Sequence, residues 1–238
     1  MKKVAKTKRA IGRPGSARPV RINKQGQELG RKGKETRERL MNAARKLLAT
    51  HSPVDLTAVS IARIARTSSA TFYIYFNDIH DLILALSEAA AIEFSEVHRI
   101  LEEPWDPGHI ELAHAQRVVD AFNQVWDRHR DVLRFRNLEA DRGDRAFAEQ
   151  RIHSGIRIIE RFVERIQAAY PVENRPPRGQ AYAEAAVLHA ALEGIAETDP
   201  IHVEQWQIGA KRLATAMATL LARSFGSRIA SPPSSQPK

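Results

Sequence analysis

Residues 61–76, which read IARIARTSSATFYIYF, constrain the fold of this chain more than any other segment. A short helical pattern ends in a polar cluster at 67–69, and a second short segment then carries four aromatic rings in five positions. Phe72 and Phe76 are spaced i and i+4, so they share one side of a helix and are expected in the core. Two short helices joined by a tight turn, the second rich in hydroxyls and rings, are typical of a helix-turn-helix that binds DNA.

Helical periodicity also dominates the rest of the chain, and no segment shows sustained alternation of apolar and polar residues. We therefore expect an all-α fold. The pattern predicts helices at 34–50, 58–66, 69–76, 79–101, 109–128, 130–141, 145–170, 179–197 and 203–225. In the second of these helices, Ile61, Ile64 and Ala65 are expected to face the core, and Thr57 is expected to cap its N-terminus.

Composition excludes several classes of protein. The chain has 238 residues, 43% of them apolar, which is ample for a core, and it contains no cysteine. Disulfides, thiolate catalysis and cysteine-ligated metals are therefore excluded. The longest apolar run is far shorter than the ~18 residues needed to span a bilayer, and the N-terminus lacks the apolar segment of a secretory signal. We expect a cytoplasmic protein without a membrane partner.

The positive charge of the chain is concentrated at its N-terminus. Residues 1–34 hold twelve Lys or Arg residues and a single acid, Glu28, for a net charge of +11, whereas the remainder carries −2. Residues 1–33 contain Pro and Gly and show no helical or strand period, so we expect a disordered basic arm. Arms of this kind commonly bind nucleic acid, although a solvated tail is the alternative.

Residues 35–95 resemble the DNA-binding domain of TetR/AcrR-type transcriptional regulators. The pattern of that family, roughly T-x-x-x-I-A-x-x-A-G-V-S-x-x-T-x-Y-x-x-F, is matched over about a quarter of the chain. The matching residues are Thr57, Ile61, Ala62, Ala65, Ser68, Thr71, Tyr73 and Phe76. The segment TFYIYF, followed by a polar helix start, is the most specific part of the resemblance.

The chain departs from the family pattern at three positions. Arg66 replaces the usual turn glycine, so residue 66 must adopt a positive φ or the turn must differ. Ala70 stands where Gly or Pro is common. Ile79 replaces the lysine that in the family reaches a DNA phosphate, and His80 or the basic arm could substitute for it.

The resemblance implies a three-helix helix-turn-helix domain at 34–78 and a helical effector-binding and dimerisation domain at 79–225, followed by a loose tail at 226–238. It also implies a transcriptional regulator rather than an enzyme. We expect a homodimeric repressor that a small apolar effector releases from a palindromic operator on double-stranded DNA. No cofactor and no metal site is expected.

The residues expected to contact DNA lie at the starts of the two motif helices, on the second helix and at the end of the basic arm. They are Thr57, Ser60, Ser68, Ser69, Ala70, Thr71, Tyr73, Tyr75, Arg31, Lys32 and Lys34. Hydroxyls can bond bases or phosphates, and small side chains allow a close approach to the groove. Because the second helix carries no Arg, Asn or Gln, specificity is expected to depend on apolar contacts, water and DNA shape.

The effector site is expected among rings and polar groups of the middle helices. The candidates are Phe94, His98, Phe122, Asn123, Trp126 and Phe135, although packing in a core is the alternative for each. The small residues of 181–197 and 209–222 permit close contact between helices, so we expect these two segments to form the dimer interface.

Two other functions compete with this one. A non-specific or architectural DNA-binding protein, driven by the basic arm, would bind without sequence preference and with a steep salt dependence. An all-α metalloenzyme is suggested by the Glu-x-x-His spacing of Glu111 and His114, which di-iron bundles use. Those bundles need a second such pair, and the sequence holds none, so the enzyme is the weakest alternative.

Overall fold

The computed structural model describes residues 29–226, apart from 107, 108, 110 and 206. Over that part of the chain the secondary structure is helical without strands, which confirms the expected all-α fold. The helices are α1 (Arg31–Leu48), α2 (Ala58–Ile64), α3 (Ser69–Tyr75), α4 (Ile79–Glu93), α5 (Ser95–Glu102), α6 (Leu112–Asp141), α7 (Arg145–Ala168), α8 (Arg178–Glu197), α9 (Pro200–Gln205) and α10 (Ala210–Phe225). Residues 1–28 of the predicted arm and 227–238 of the predicted tail lie outside the described residues.

The first helix begins earlier than its sequence pattern predicts. Gly30 is the N-cap of α1, so Arg31 and Lys32 belong to the first helical turn rather than to the arm. Leu29, just before the cap, is buried and ties the start of the helix to the domain. Arg and Lys are good helix formers, which favours this extension, although cations in the first turn interact unfavourably with the helix dipole. The boundary at residue 33 is corrected accordingly.

The N-terminal domain packs α1, α2, α3 and the first half of α4 around one apolar cluster. Ile61, Phe72 and Phe76 are at most 1% exposed, as their spacing predicts. Ile64, which the helical pattern places in this core, is instead 40% exposed. The reason is that Ala58, Ile61, Ala62 and Ala65 already form the inward stripe of α2 at i, i+3, i+4 and i+7, and position 64 falls outside it.

The C-terminal domain packs α5 to α8 and α10, together with the end of α4, around a second apolar cluster. Its helix boundaries differ from prediction at two places and agree with it at a third. The predicted helix 79–101 is divided at Phe94, a buried residue that ends α4 and precedes α5. The predicted break between 109–128 and 130–141 is found at His129, whose non-helical φ of −126° and ψ of 16° kink α6, although the helix continues beyond it. The predicted helix 203–225 is divided before α10, where Gln207 and Gly209 both have positive φ.

The two domains share an interface along α4. His80 Nε2 lies 2.7 Å from Asp144 Oδ2 at the start of α7. Further along α4, the Ser87 hydroxyl donates to Gln150 Oε1 at 2.8 Å, and the Gln150 amide donates to the Ser87 carbonyl at 3.1 Å. Phe147 of α7 is fully buried in the N-terminal cluster. The position of the DNA-binding motif is therefore coupled to α7 of the second domain.

Candidate DNA-binding surface and effector region

A reciprocal hydrogen-bonded cap starts α2. The Thr57 hydroxyl accepts from the Ser60 backbone N–H, and the Ser60 hydroxyl accepts from the Thr57 backbone N–H, both at 3.1 Å. This arrangement is a capping box, and it confirms Thr57 as the N-cap. Both hydroxyls already serve the helix, and both lie at its N-terminus, where free backbone N–H groups point outward.

The turn between α2 and α3 depends on an unusual backbone conformation at Arg66, whose φ is 54°. The residue thus adopts the left-handed conformation that a glycine would adopt more readily. The Thr67 N–H then reaches back to the Ala62 carbonyl at 2.9 Å. Ser68 follows as the N-cap of α3, where its hydroxyl accepts from the Thr71 N–H at 3.1 Å. The turn is preserved although its glycine is missing.

The solvent face of α3 consists of Ser69, Ala70, Tyr73 and Ile74, all of them exposed. Tyr73 is 51% exposed, and its ring meets Phe72 edge to face at 5.3 Å between centroids. Ile74, which is 45% exposed, is absent from the residues that the sequence pattern predicts to contact DNA. Its spacing of i+4 from Ala70 would have identified it, because both residues lie opposite the buried rings.

Tyr75 lies on the side of α3 that faces α1. It is half-buried against the N-terminal cluster. Its hydroxyl would lie 3.6 Å from a Cβ atom built on Gly33. The first turn of α1 therefore runs beside the second helix of the motif. Three cations of that turn, Arg31, Lys32 and Lys34, are exposed.

The position at which the family pattern has a lysine is apolar and packed in this chain. Ile79 is half-buried against the N-terminal cluster. His80 does not replace the lysine, because its ring is bonded to Asp144 and packs edge to face on Phe147 at 4.6 Å. The backbone N–H of Phe147, together with His80, holds the pKa of Asp144 below its usual value. His80 thus joins the domains instead.

The predicted effector residues occupy two different places. Phe94 and Phe122 pack at 5.1 Å between ring centroids, in the same cluster as the fully buried Trp126. Asn123 Oδ1 and Trp126 Nε1 lie one helical turn apart on α6, and both are buried without a hydrogen-bond partner in the described part of the chain. An acceptor and a donor left unpaired in an apolar region are open to partners that the chain does not supply, such as a bound water or a ligand.

His98 lies one turn beyond Phe94, on α5, and is half-buried. Burial, followed by the nearby charge of Arg157, lowers the pKa of His98 from 6.5 to about 4. The imidazole is therefore neutral at physiological pH and can both donate and accept a hydrogen bond.

Phe135 does not belong to this group. It packs against Phe147 at 5.7 Å, beside the N-terminal cluster. The rise of an α-helix separates it from Phe122 by about 20 Å along α6. The prediction that these two rings share one site is therefore wrong, because their separation along α6 places them at different heights although both face inward.

His189 of α8 lies in the same region, although the sequence pattern gives no sign of it. Its ring meets Phe122 edge to face at 6.1 Å, and burial lowers its pKa. It also lies so close to Gly155 of α7 that a Cβ atom there would be 2.9 Å from the imidazole. Neither contact has a sequence signal, since the first depends on how α8 packs on α6 and the second on how α8 packs on α7.

The Glu111–His114 pair has a structural role. His114 Nε2 lies 2.9 Å from the Ile100 carbonyl, and His114 Nδ1 lies 3.4 Å from Glu111 Oε2, so both ring nitrogens have partners. In the described residues, no cluster of three or more His, Asp or Glu side chains is arranged to hold a metal ion. The same part of the chain contains no helix that is both long and apolar enough to cross a membrane.

Solved structures with the same fold are numerous. The fatty acid degradation regulator FadR from Bacillus halodurans is 14% identical, with a TM-score of 0.58, and the alignment covers 82% of this chain and 97% of that one. GusR of Salmonella enterica is 21% identical, with a TM-score of 0.57 and coverages of 80% and 95%. SmeT in complex with triclosan is 16% identical, with a TM-score of 0.56 and coverages of 85% and 99%. At such identities the likeness shows the fold alone.

The family assignment comes from the C-terminal domain. A comparison with curated proteins gives no match. The family model described as the tetracyclin repressor-like C-terminal domain matches residues 98–228, which are more than half of the chain. Together with the helix-turn-helix of α2 and α3, this match shows that the chain belongs to the TetR family of transcriptional regulators.

Proposed function

We propose that this regulator is a repressor that binds a specific, roughly palindromic operator as a homodimer. The exposed face of α3 is the observation that supports the proposal most. It presents Ser69, Ala70, Tyr73 and Ile74 on a helix that is held by a capped turn and two fully buried rings. A short, rigid helix with its outer face free of bulky charge fits the major groove.

Within that groove, each class of side chain has a different part. Ser69 and Ala70 allow a close approach, and Ile74 offers an apolar contact to a thymine methyl. The Tyr73 hydroxyl, at the edge of the face, bonds a phosphate and fixes the position of the helix. The hydroxyls of Thr57, Ser60 and Ser68 cap α2 and α3, and the Thr71 hydroxyl lies 2.9 Å from that of Ser68. The N-terminal N–H groups of the two helices bind further phosphates.

The first turn of α1 supplies positive charge beside this surface. Arg31, Lys32 and Lys34 are exposed, and Tyr75 ties their turn to α3. Cations near a DNA groove add affinity that does not depend on sequence and that decreases with salt. We propose that this turn, continued by the basic residues before it, binds the DNA phosphates that Ile79 cannot bind.

The dimer is proposed to form through α8 and α10. Val187 of α8 is 68% exposed and Leu220 of α10 is 46% exposed, and small exposed residues lie one turn from each, Ala183 and Ala216. Exposed apolar residues on two adjacent helices suit a self-complementary interface. A dimer would place two α3 helices on successive turns of DNA, ~34 Å apart.

The effector is proposed to bind near Phe94, Phe122 and Trp126. The protein itself is proposed to be cytoplasmic. The apolar rings favour a largely apolar ligand, and the unpaired atoms of Asn123 and Trp126 favour one that carries a donor and an acceptor. The solved SmeT complex shows triclosan bound to a protein of the same fold. Effector binding would favour a conformation in which the two α3 helices are wrongly spaced for the operator.

Selection of bound sequences from a random DNA library tests this function. We expect an enriched, roughly palindromic site for the wild-type chain. Ala70→Glu places a carboxylate at the exposed start of α3 and should abolish the enrichment without affecting the fold, whereas Ala146→Glu, at an exposed position of α7, should retain it. Binding without any enriched motif, lost steeply with salt, would instead indicate the architectural alternative.

A further inference from the structure

An open cleft of about 760 Å³ lies where the helix-turn-helix domain meets the C-terminal domain. One wall is formed by Leu48 and residues 51–53, which end α1 and begin the connection to α2. The opposite wall is formed by side chains of α6, α7 and α8. This volume is typical of a small-molecule site, and such sites occur preferentially between domains.

The arginines that line the cleft are largely neutralised by their own partners. Arg142 donates to Glu139 Oε1, and Arg151 donates to Asp141 Oδ1, each at 2.8 Å. Arg134 is the exception, but it is exposed, and the exposed carboxylate of Asp131 lies one turn before it on the same helix. The mouth of the cleft therefore carries one charge of each sign.

The floor of the cleft is a buried polar network whose donors are already used. Arg136, which is 2% exposed, donates to Glu193 Oε1 at 2.6 Å and to Asn137 Oδ1 at 2.9 Å. The Asn137 amide, itself only 7% exposed, donates to Glu197 Oε2 at a long 3.4 Å. Among the described residues, the Glu197 carboxylate has no other hydrogen bond and no ion pair.

The unmet hydrogen-bonding capacity of the cleft is thus acceptor capacity. A carboxylate can accept about four hydrogen bonds. Glu193 and Glu197 lie one helical turn apart on the same wall, and Arg136 bonds the first of them directly while its charge also acts on the second. A ligand that donates hydrogen bonds and carries positive charge would complete this network, whereas an anion would be repelled by the Glu197 carboxylate, which no cation bonds directly in the described part of the chain.

Apolar side chains lie next to these carboxylates. Phe135 is half-buried, and Leu138, one turn away on α6, is 47% exposed, while Leu48 and Pro53 face them across the cleft. A flat apolar group could lie against Phe135 while its charged end reaches Glu197.

We propose that this cleft binds a small organic cation, an amidinium or protonated amine on a flat apolar body, with Glu197 as its principal counter-ion. Such a ligand contacts the end of α1 on one side and α6 and α8 on the other, so its binding is linked to the relative position of the two domains. The site is separate from the one around Phe94 and Phe122. Its occupancy can be measured without DNA, and only its effect on repression rests on the proposed function.

The cleft lies at the edge of the proposed dimer surface. Ala190 and Gly194, which line it, continue the face of α8 that carries Ala183 and Val187. Binding must therefore be measured on the full-length chain in its own oligomeric state.

Calorimetric titration with benzamidine, benzamide and benzoate tests the proposal, because the three probes share one ring and differ in charge. We expect a dissociation constant near or below about 1 mM for benzamidine, as befits a fragment of this size, and binding at least about tenfold weaker for the other two. No binding of benzamidine, or tighter binding of benzoate, would overturn the assignment.

Two variants locate the site. Glu197→Gln should weaken benzamidine binding about fivefold or more, and Asp131→Asn, at the exposed mouth, about twofold. Glu160→Gln removes an exposed carboxylate of α7 that does not line the cleft and should leave binding unchanged. Asp131→Asn keeps the test valid if Glu197→Gln does not fold. Equal affinities for the wild type and the cleft variants would show that benzamidine binds elsewhere.

Discussion

Two tyrosines of α3, two positions apart, have different environments and hence different expected roles. Tyr73 is 51% exposed beside Ser69 and Ala70, whereas Tyr75 is half-buried next to Gly33 of α1. The sequence pattern places neither ring in the core but cannot distinguish them, because Tyr75 neighbours the first turn of α1, which begins earlier than the pattern predicts. We therefore assign the phosphate contact to Tyr73 and a mainly structural role to the Tyr75 ring.

Tyr73→Phe removes the hydroxyl and keeps the ring that packs on Phe72. We expect operator affinity to decrease about fivefold, corresponding to roughly 1 kcal/mol for one hydrogen bond to phosphate, with unchanged thermal stability. Fluorescence anisotropy with labelled operator DNA measures the change. Tyr182→Phe, a half-buried position of α8, is the matched control and should bind as the wild type does. Equal affinities for the wild type and both variants would show that the Tyr73 hydroxyl does not contact DNA.

His98 makes stability depend on pH. Its pKa in the folded chain is lowered from 6.5 to about 4 by burial and by Arg157. Above pH 6.5 the imidazole is neutral in both states, so it has no effect on stability. Between pH 6.5 and 4 the unfolded chain binds a proton that the folded chain does not, and stability therefore falls as pH falls. Because the side chain is only half-buried, we expect a loss of about 1–2 kcal/mol over this range.

His98→Gln should remove this part of the pH dependence, so its free energy of unfolding should fall less than that of the wild type between pH 6.5 and 4. Urea unfolding at several pH values measures the difference. His51→Gln, at an exposed position, should retain the wild-type slope. Parallel curves for the wild type and His98→Gln would contradict the assignment.

At the scale of helices, the sequence predicts local structure well and packing poorly. The cap at Thr57 and the buried rings Phe72 and Phe76 follow from residue type and spacing, and the structure contains them. At Arg66 the sequence leaves two possibilities, a positive φ or a different turn, and the structure has the positive φ. The errors arise where distant contacts decide. The sequence predicts the break of α6 at His129, but no local pattern reveals the partner of this residue, Glu93 of α4, at 2.9 Å.

The candidate sites follow the same division. The surface of α3 could be predicted because one short helix contains it. The effector region and the interdomain cleft could not, because each combines residues from three or more helices whose heights along one another are set by packing. Phe135 and His189 are the clearest examples. Phe135 packs on Phe147, away from the predicted site, and His189 of α8 packs on Phe122 although no sequence pattern predicts it.

Gly155 fixes the distance between α7 and α8. A Cβ atom at this position would lie 2.9 Å from the His189 ring, which is held against Phe122 and cannot easily withdraw. Gly155→Ala gains about 1 kcal/mol in helix propensity, but overpacking costs typically 1–3 kcal/mol, so we expect a net destabilisation of about 1 kcal/mol. Urea unfolding at matched protein concentration measures it.

Gly179→Ala is the control for this substitution. Gly179 lies in the first turn of α8, with open space where its Cβ would be, so the variant should be as stable as the wild type or slightly more stable. If Gly155→Ala were stabilised to the same extent, the close approach of α7 to His189 would not limit the packing of these helices.

At the scale of the whole molecule, hydrogen bonds join the two domains. They run from His80 and Ser87 of α4 to the N-cap and the second turn of α7, and α7 also contacts the proposed effector region through Gly155. In the proposed function, a shift of α7 on effector binding would move α4 and with it α3. In a dimer, a small rotation of each subunit changes the separation of the two α3 helices, which must match the DNA repeat.

This mechanism requires the dimer, and Val187→Lys tests for it. Val187 is 68% exposed on α8, so the substitution should not disturb the monomer, but a twofold interface would bring two lysines together. Light scattering should give a mass near twice 26.7 kDa for the wild type and near 26.7 kDa for the variant. Operator affinity should fall in parallel, because one helix-turn-helix binds weakly alone.

Val172→Lys provides the matched comparison. Val172 is 74% exposed but lies in the connection between α7 and α8, away from the proposed interface, so this variant should remain dimeric and bind DNA normally. Loss of the dimer in both variants would point to a general effect of added charge. If Val187→Lys remained dimeric, the interface would have to lie elsewhere on the protein. The twofold axis that sets the spacing of the two α3 helices would then lie elsewhere as well.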